Sequence, residues 1–242
     1  IADQEMTVEL SRIDLKQFKK VLPYLPDVEG WLGGSLHYVD SEGQMMLSAD
    51  MNLDNFVYEK SPLGNWTMSG AYLPGDNNAH HVDGFITYND QEIIYMNGVY
   101  QADETGQENI TGELELQHFP LQVINPFIPE KMVGFTGDID GTLSMTGSPM
   151  KPVLNGGLQL DSVLMIMPDM SVGFRFDNKQ VKMQDSKMVF DKFNIYTRGE
   201  TPFVVNGSVD FSDMEKMMVD LRMKTSNYEL MNAPKNRKAI MY

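Results

Sequence analysis

Along most of this chain apolar and polar residues alternate one for one, the pattern of β-strands that bury one face and wet the other. Met45, Leu47, Ala49, Met51 and Leu53 fall on one side of a strand, with Ser48, Asp50 and Asn52 opposite. Trp66, Met68, Gly70 and Tyr72 repeat the pattern, as do Ile94, Met96, Gly98 and Tyr100, then Ile110, Gly112, Leu114 and Leu116. The clearest run is Phe135, Gly137, Ile139, Gly141, Leu143 and Met145, set against Thr136, Asp138, Asp140, Thr142 and Ser144. Leu158 with Leu160, Phe174 with Phe176, Val181 with Met183, then Val205, Gly207, Val209 and Phe211, and finally Val219, Leu221 and Met223 complete the series.

Turn-forming residues separate the runs: Pro74 to Asn78, Asn89-Asp90, Gly106, Ser148-Pro149, Asp177-Asn178, Arg198-Gly199 and Ser212-Asp213. Such close spacing suits successive antiparallel hairpins and leaves no room for regular crossover helices. Two segments read as helical. Asp14 to Leu25 spaces Leu15, Phe18, Val21, Leu22 and Leu25 by threes and fours, with Ser11 as a possible cap. Leu121 to Ile128 is a shorter helical turn. Both end in proline, aromatic, aliphatic, proline: Pro23-Tyr24-Leu25-Pro26 and Pro126-Phe127-Ile128-Pro129. Gly30-Trp31-Leu32-Gly33 and Gly134-Phe135-Thr136-Gly137 follow them in turn. This internal repeat predicts two units, residues 11–115 and 116–242, within one continuous β-structure.

A meander of such strands has one dry face, which must be covered by a second sheet, closed into a barrel or curled into a gutter. Gly70, Gly98, Gly112, Gly137, Gly141 and Gly207 all fall on the dry side. Inward glycine accompanies sharp bending or close approach. It fits a curled sheet with space inside and equally a sandwich whose layers meet at glycine. The expected fold class is therefore all-β with minor short helices.

Composition narrows the function. Apolar residues are 42% and charged residues 22%, a globular balance, and the formal net charge is −15. So acidic a surface repels nucleic-acid phosphates, and the sole basic cluster is Lys235, Arg237 and Lys238. With no cysteine there are no disulfides, thiolate metal sites or thiol nucleophiles. No apolar run is long enough for a membrane-spanning helix. The 20 methionines are unusually many for 242 residues. Met serves as core filler or as lining that adapts to varied apolar guests. The chain opens mid-pattern at Ile1-Ala2-Asp3, which reads as a slice of something larger.

Catalytic chemistry finds little footing. His80-His81 sits near Asp76 and Asp83 in what reads as a solvated loop, without the helical ligand spacing of zinc enzymes. Asp138 and Asp140 resemble a carboxylate pair, but their alternation with Phe135, Ile139 and Leu143 places them on the wet side of a strand. No nucleophile elbow, P-loop or dinucleotide fingerprint occurs. The expectation is a protein that is not an enzyme and carries no cofactor or metal.

One stretch is more specific. Residues 141–158 read apolar-x-apolar-x-Gly-Ser-Pro-x-x-Pro-x-apolar-x-Gly before a glycine-rich strand, with Gly147-Ser148-Pro149 and Pro152 at its centre. Pro120, Pro126 and Pro129 precede it, and Pro202 to Val209 follows. This resembles the C-terminal β-repeat region of the TamB family, translocation and assembly module proteins of Gram-negative envelopes, grouped with AsmA-like repeating β-groove proteins. The resemblance covers about residues 116 to 224 and is looser upstream. It implies a curled, mostly antiparallel elongated sheet, a β-groove with an apolar interior. It implies a periplasmic segment of a parent anchored in the inner membrane by an N-terminal helix outside this chain. The implied role is shielding phospholipid acyl chains in passage between membranes, or helping outer-membrane protein assembly with a TamA-like β-barrel partner. The alternatives are chaperone-like pairing with client strands at an open sheet edge, or a structural spacer. Groove lining would come from Phe135, Ile139, Leu143, Met145, Leu158, Leu160, Val205, Val209, Phe211, Leu221 and Met223.

Overall fold

The computed structural model describes residues 4–41, 44–75, 78–102, 105–128, 133–168, 172–197, 201–213 and 216–226. They form one antiparallel sheet of fourteen strands. In chain order these are β1 (Gln4–Asp14), β2 (Val28–Ser41), β3 (Gln44–Tyr58), β4 (Ser61–Pro74), β5 (Ala79–Tyr88), β6 (Gln91–Ala102) and β7 (Glu108–Pro120). After them come β8 (Gly134–Ser148), β9 (Lys151–Met167), β10 (Val172–Phe176), β11 (Gln180–Gln184), β12 (Lys187–Tyr196), β13 (Phe203–Asp210) and β14 (Met218–Lys224). Spatial order follows chain order throughout. β10 and β11 share one edge of β9, at Leu164–Met167 and Gly156–Gln159, and both pair with β12 on their other side. They act as one strand interrupted at Asp177–Lys179. Thirteen strand positions at about 4.8 Å each make a sheet roughly 60 Å long across its strands.

Two-residue turns close several hairpins. Glu59-Lys60, Asn89-Asp90 and Asp185-Ser186 all hold both residues at positive φ, the geometry whose twist matches that of the flanking strands. Asn89-Asp90 is the turn that composition predicts; Glu59-Lys60 carries no such signature. Arg198-Gly199, Pro129 and the basic cluster at Lys235 to Lys238 lie outside the described residues.

Two expectations need correction. The predicted helix from Asp14 to Leu25 shrinks to a 3-10 turn, Leu15–Gln17, and one α-turn, Phe18–Val21. Pairing with β2 holds the chain extended through Asp14, so Ser11 lies in β1 and Asp14 is the cap, accepting from the Lys16 N–H at 3.0 Å. The expected loop at His80-His81 is strand β5, paired on both sides. His80 is held between rings, its Nδ1 2.6 Å from the Tyr72 hydroxyl and its ring stacked on Tyr72. The second short helix exists as a 3-10 segment, Leu121–Phe127, called the strap below.

Register decides the rest. Met51 stands opposite Met68, then Ile86, Ile94, Leu116, Gly141, Leu158 and Val181 on successive strands. The next row is Val8, Leu36, Ala49, Gly70, Gly84, Met96, Leu114, Leu143, Gly156 and Met183, continuing through Met188 and Val209 to Val219. The opposite face carries Ser48, Ala71, Asp83, Asn97, Glu113, Ser144 and Asn155 in an equivalent row. The apolar face is thus continuous across strands as well as along them. The sheet is curled around it. Among the described residues β1 and β14 stand at the two ends of the sheet.

Glycine in the apolar rows has a backbone reason. At Gly156 φ is +151°, and a Cβ there would stand 2.1 Å from the Thr142 carbonyl oxygen and 3.0 Å from the Leu143 Cα. Neighbouring backbone occupies the place of a side chain. Gly156→Ala should therefore cost about 1–3 kcal/mol in urea denaturation, whereas Gly134→Ala, with nothing within 4 Å, should be nearly neutral. Near the C-terminal edge the Asp210 carboxylate accepts the Ser212 N–H at 2.9 Å and pairs with the Lys187 ammonium at 3.2 Å. Those contacts, Ser212 first, pull its pKa down to about 2. A depressed carboxylate contributes stability above its ordinary pKa, and that contribution disappears as pH falls toward 2. Stability measured from pH 5 to pH 2 should fall less steeply in Asp210→Asn.

Candidate functional site

The apolar face is pinched along a crease. Seven strands among the described residues carry one extra residue relative to a neighbour: β1 between Leu10 and Ile13, β3 between Leu53 and Phe56, β4 between Pro62 and Gly64, β6 between Glu92 and Ile94, β7 between Leu116 and Phe119, β9 between Asp161 and Leu164, and β12 between Phe190 and Phe193. Bulges bend a strand and increase its twist. Aligned on successive strands, they turn a flat face into a trough whose long axis crosses the strands.

A recurring hydrogen bond fixes the crease. Asn55, His118, Ser162 and Lys192 take φ near +50° and turn their N–H groups away from the ladder. Each N–H donates to a side-chain oxygen of Asn65, Asp140, Asn178 or Asn206 in turn, at 2.8 to 3.0 Å. The side chain thus satisfies a donor that the bulge releases. This device was not anticipated, yet a signal exists. Leu53-Asp54-Asn55-Phe56, Leu116-Gln117-His118-Phe119, Leu160-Asp161-Ser162-Val163 and Phe190-Asp191-Lys192-Phe193 each insert a spacing of three into a spacing of two. Leu10-Ser11-Arg12-Ile13 does the same, with Arg12 also at positive φ.

Burial concentrates at the crease and in the C-terminal half. Ile93 and Val163 are each 1% exposed. The strap folds back from β7 over the inner face toward β3, burying Leu121 and Val123 and setting the Phe127 ring 4.6 Å from that of Tyr58. The Asn125 amide anchors it, donating to the Phe135 carbonyl and accepting the Phe135 N–H at 2.8 and 2.7 Å. Beneath the strap is an apolar cleft of about 480 Å³, lined by residues including Leu32, Met51, Phe56, Trp66, Met68 and Ile86.

The residues expected to line the groove divide by environment. Leu143 and Leu158 are buried with Met183, and Ile139 and Phe211 pack against them. Phe211 lies just beyond the end of β13. Val205 is buried with Val181 and Phe193, with Leu160 alongside. Phe135, Met145 and Val209 are half-buried. Leu221 and Met223 lie on the inner face of edge strand β14, and Met223 is 65% exposed. None of these eleven lines the cleft under the strap, which belongs to the N-terminal half and the strap itself. There the inner face is open: Met68 is 49% and Val82 45% exposed. A Cβ at Gly70 would meet only Asp83 and Gly84 backbone, and one at Gly98 only Thr111 and Gly112 backbone. Among the described residues nothing but the neighbouring strand comes within 4 Å of either position.

Reactive groups are dispersed. Among the described residues no three His, Asp or Glu side chains gather where a metal ion could sit. His118 Nδ1 approaches Asp140 at 2.8 Å, and that hydrogen bond raises the histidine's pKa, but the pair lies at a bulge on the wet face. No helix among the described residues is long and apolar enough to cross a membrane. Comparison with protein-family models, with curated proteins and with solved structures finds no match to this chain.

The contrast between crease and open face is measurable. Ile93→Ala should cost about 2–4 kcal/mol through the cavity it leaves. Met68→Ala, at a position half open to water, should stay within about 1 kcal/mol by the same denaturation assay.

Proposed function

We propose that this chain holds lipid acyl chains along its apolar trough. The observation that carries the reading is the unbroken set of apolar rows on the inner face of a single curled sheet, open above Gly70, Gly98 and Met68. An exposed apolar surface of this continuity marks a place where something apolar binds. Each methylene moved from water into the trough gains about 0.8 kcal/mol, so an acyl chain has ample drive to enter. The rows contain no polar side chain that would hold a tail at one point, which suits movement along the trough as well as storage. Methionine at Met51, Met68 and Met96 supplies a lining that adjusts to different chains.

The resemblance to TamB and the AsmA-like proteins extends this reading. On it, the chain is a periplasmic portion of an inner-membrane-anchored protein. Its trough shields phospholipid tails between the two membranes, and its parent works with a TamA-like outer-membrane barrel. The sheet's length of roughly 60 Å and its chain-ordered strands suit one stretch of such a conduit.

Organic extraction and mass spectrometry of the purified protein should recover phospholipid in stoichiometric amount. Met68→Asp places a charge on the open inner face without disturbing a buried contact. It should lower lipid recovery at least tenfold while the far-ultraviolet circular dichroism stays unchanged. A wild-type protein that yields no lipid, and whose Trp66 fluorescence is not quenched by brominated acyl chains, would overturn the proposal.

A further inference from the structure

The strap separates two adjoining clefts of opposite character. On the inner side is the apolar cleft of about 480 Å³. Its polar groups among the described residues are already engaged, Asn52 with Asp54, Thr67 with Thr87 and the Trp66 indole N–H with the Leu63 carbonyl. On the other side is a cleft of about 710 Å³ that shares Leu63, Val123 and Phe127 with the first. It adds Tyr58, Glu59, Ser61, Tyr88 and Gln122, and among the described residues neither Lys, Arg nor His lines it. Among the described residues the hydroxyls of Tyr58 and Tyr88 and the Gln122 amide have no protein hydrogen-bond partner.

We propose that the second cleft takes the ammonium-bearing head of an amphiphile whose tail lies in the first. The inference rests on the acyl-chain reading and names the headgroup. Three aromatic rings, Tyr58, Tyr88 and Phe127, line a cleft whose one charged side chain among the described residues is the Glu59 carboxylate. Aromatic faces and a carboxylate attract a substituted ammonium. An anionic head bearing only phosphate would meet Glu59 with no cation among the described lining residues to offset it. Glu59 is held in place: its Oε1 accepts the Asp27 N–H at 2.9 Å, and its own N–H donates to the Asp27 carbonyl at 2.8 Å. One carboxylate oxygen remains for the guest. Leu63, Val123 and Phe127 belong to both linings, so head and tail sites lie side by side at the strap.

Trp66 lines the apolar cleft and reports occupancy by the tail, and Trp31→Phe removes the second indole. The Trp31→Phe chain is titrated with brominated lysophosphatidylethanolamine and with brominated lysophosphatidylglycerol of the same chain length, both below micelle formation. The ethanolamine lipid should bind roughly tenfold more tightly, the scale of an ammonium against aromatic rings. Glu59→Gln keeps the acceptor for Asp27 and should reduce that preference to about twofold or less, through weaker ethanolamine-lipid binding and, with the repulsion gone, somewhat tighter glycerol-lipid binding. Tyr58→Leu should narrow the preference as well. Equal binding of the two lipids before substitution would overturn the headgroup assignment and leave the acyl-chain reading standing. Absence of quenching by either would overturn both. Competition by free phosphoethanolamine at the lysolipid's own affinity would overturn the assignment to a lipid head and point to a small free amine.

Discussion

Everything in this molecule depends on register. A strand that slips by one residue sends all its apolar side chains to the wet face. Here Met51, Met68, Ile86, Ile94, Leu116, Gly141 and Leu158 align across seven consecutive strands without such a slip. The described residues form a single sheet, and ladder pairing with the tight turns at Glu59-Lys60, Asn89-Asp90 and Asp185-Ser186 holds its register. The bulges then curl the sheet while preserving side-chain direction. An extra residue shifts the ladder, and the positive-φ backbone with its Asn or Asp partner returns the next apolar residue to the inner face.

The trough is uneven. On β8, β9, β11 and β13 inner side chains reach one another, and Leu143, Leu158, Val181 and Val205 are buried. On β4 and β5 inner residues such as Met68 and Val82 stay exposed. The strap covers part of that open stretch and divides its floor. One short 3-10 segment can do this because Asn125 ties it to the next strand and two apolar residues anchor it below.

Strands, faces and the direction of most side chains were legible in the sequence because alternation is a local code. The inward glycines were legible for the same reason, although their backbone clashes depend on pairing. His80 was misread because Pro74 and Asn77-Asn78 look like a loop, whereas its strand is specified by distant partners at Tyr72 and Tyr100. The helix at Asp14 was overextended because apolar spacing over Leu15, Phe18 and Leu22 says nothing about where β2 stops pairing. The cleft under the strap was missed since it joins Leu32, Trp66 and Val123, residues whose proximity follows from the curl. Its sequence trace is the short helical turn from Leu121 to Ile128, whose spacing does not say which strands it covers.

Strand order that follows chain order gives this sheet the connectivity of a linear array. Each strand is supported mainly by its predecessor and successor, so neighbouring hairpins form a row of coupled units rather than one indivisible core. Opening of such an array advances a hairpin at a time from its outermost described strands, β1 and β14. Amide protection should rise from β1 and β14 toward β8 and β9, giving the molecule a gradient of local stability along its length.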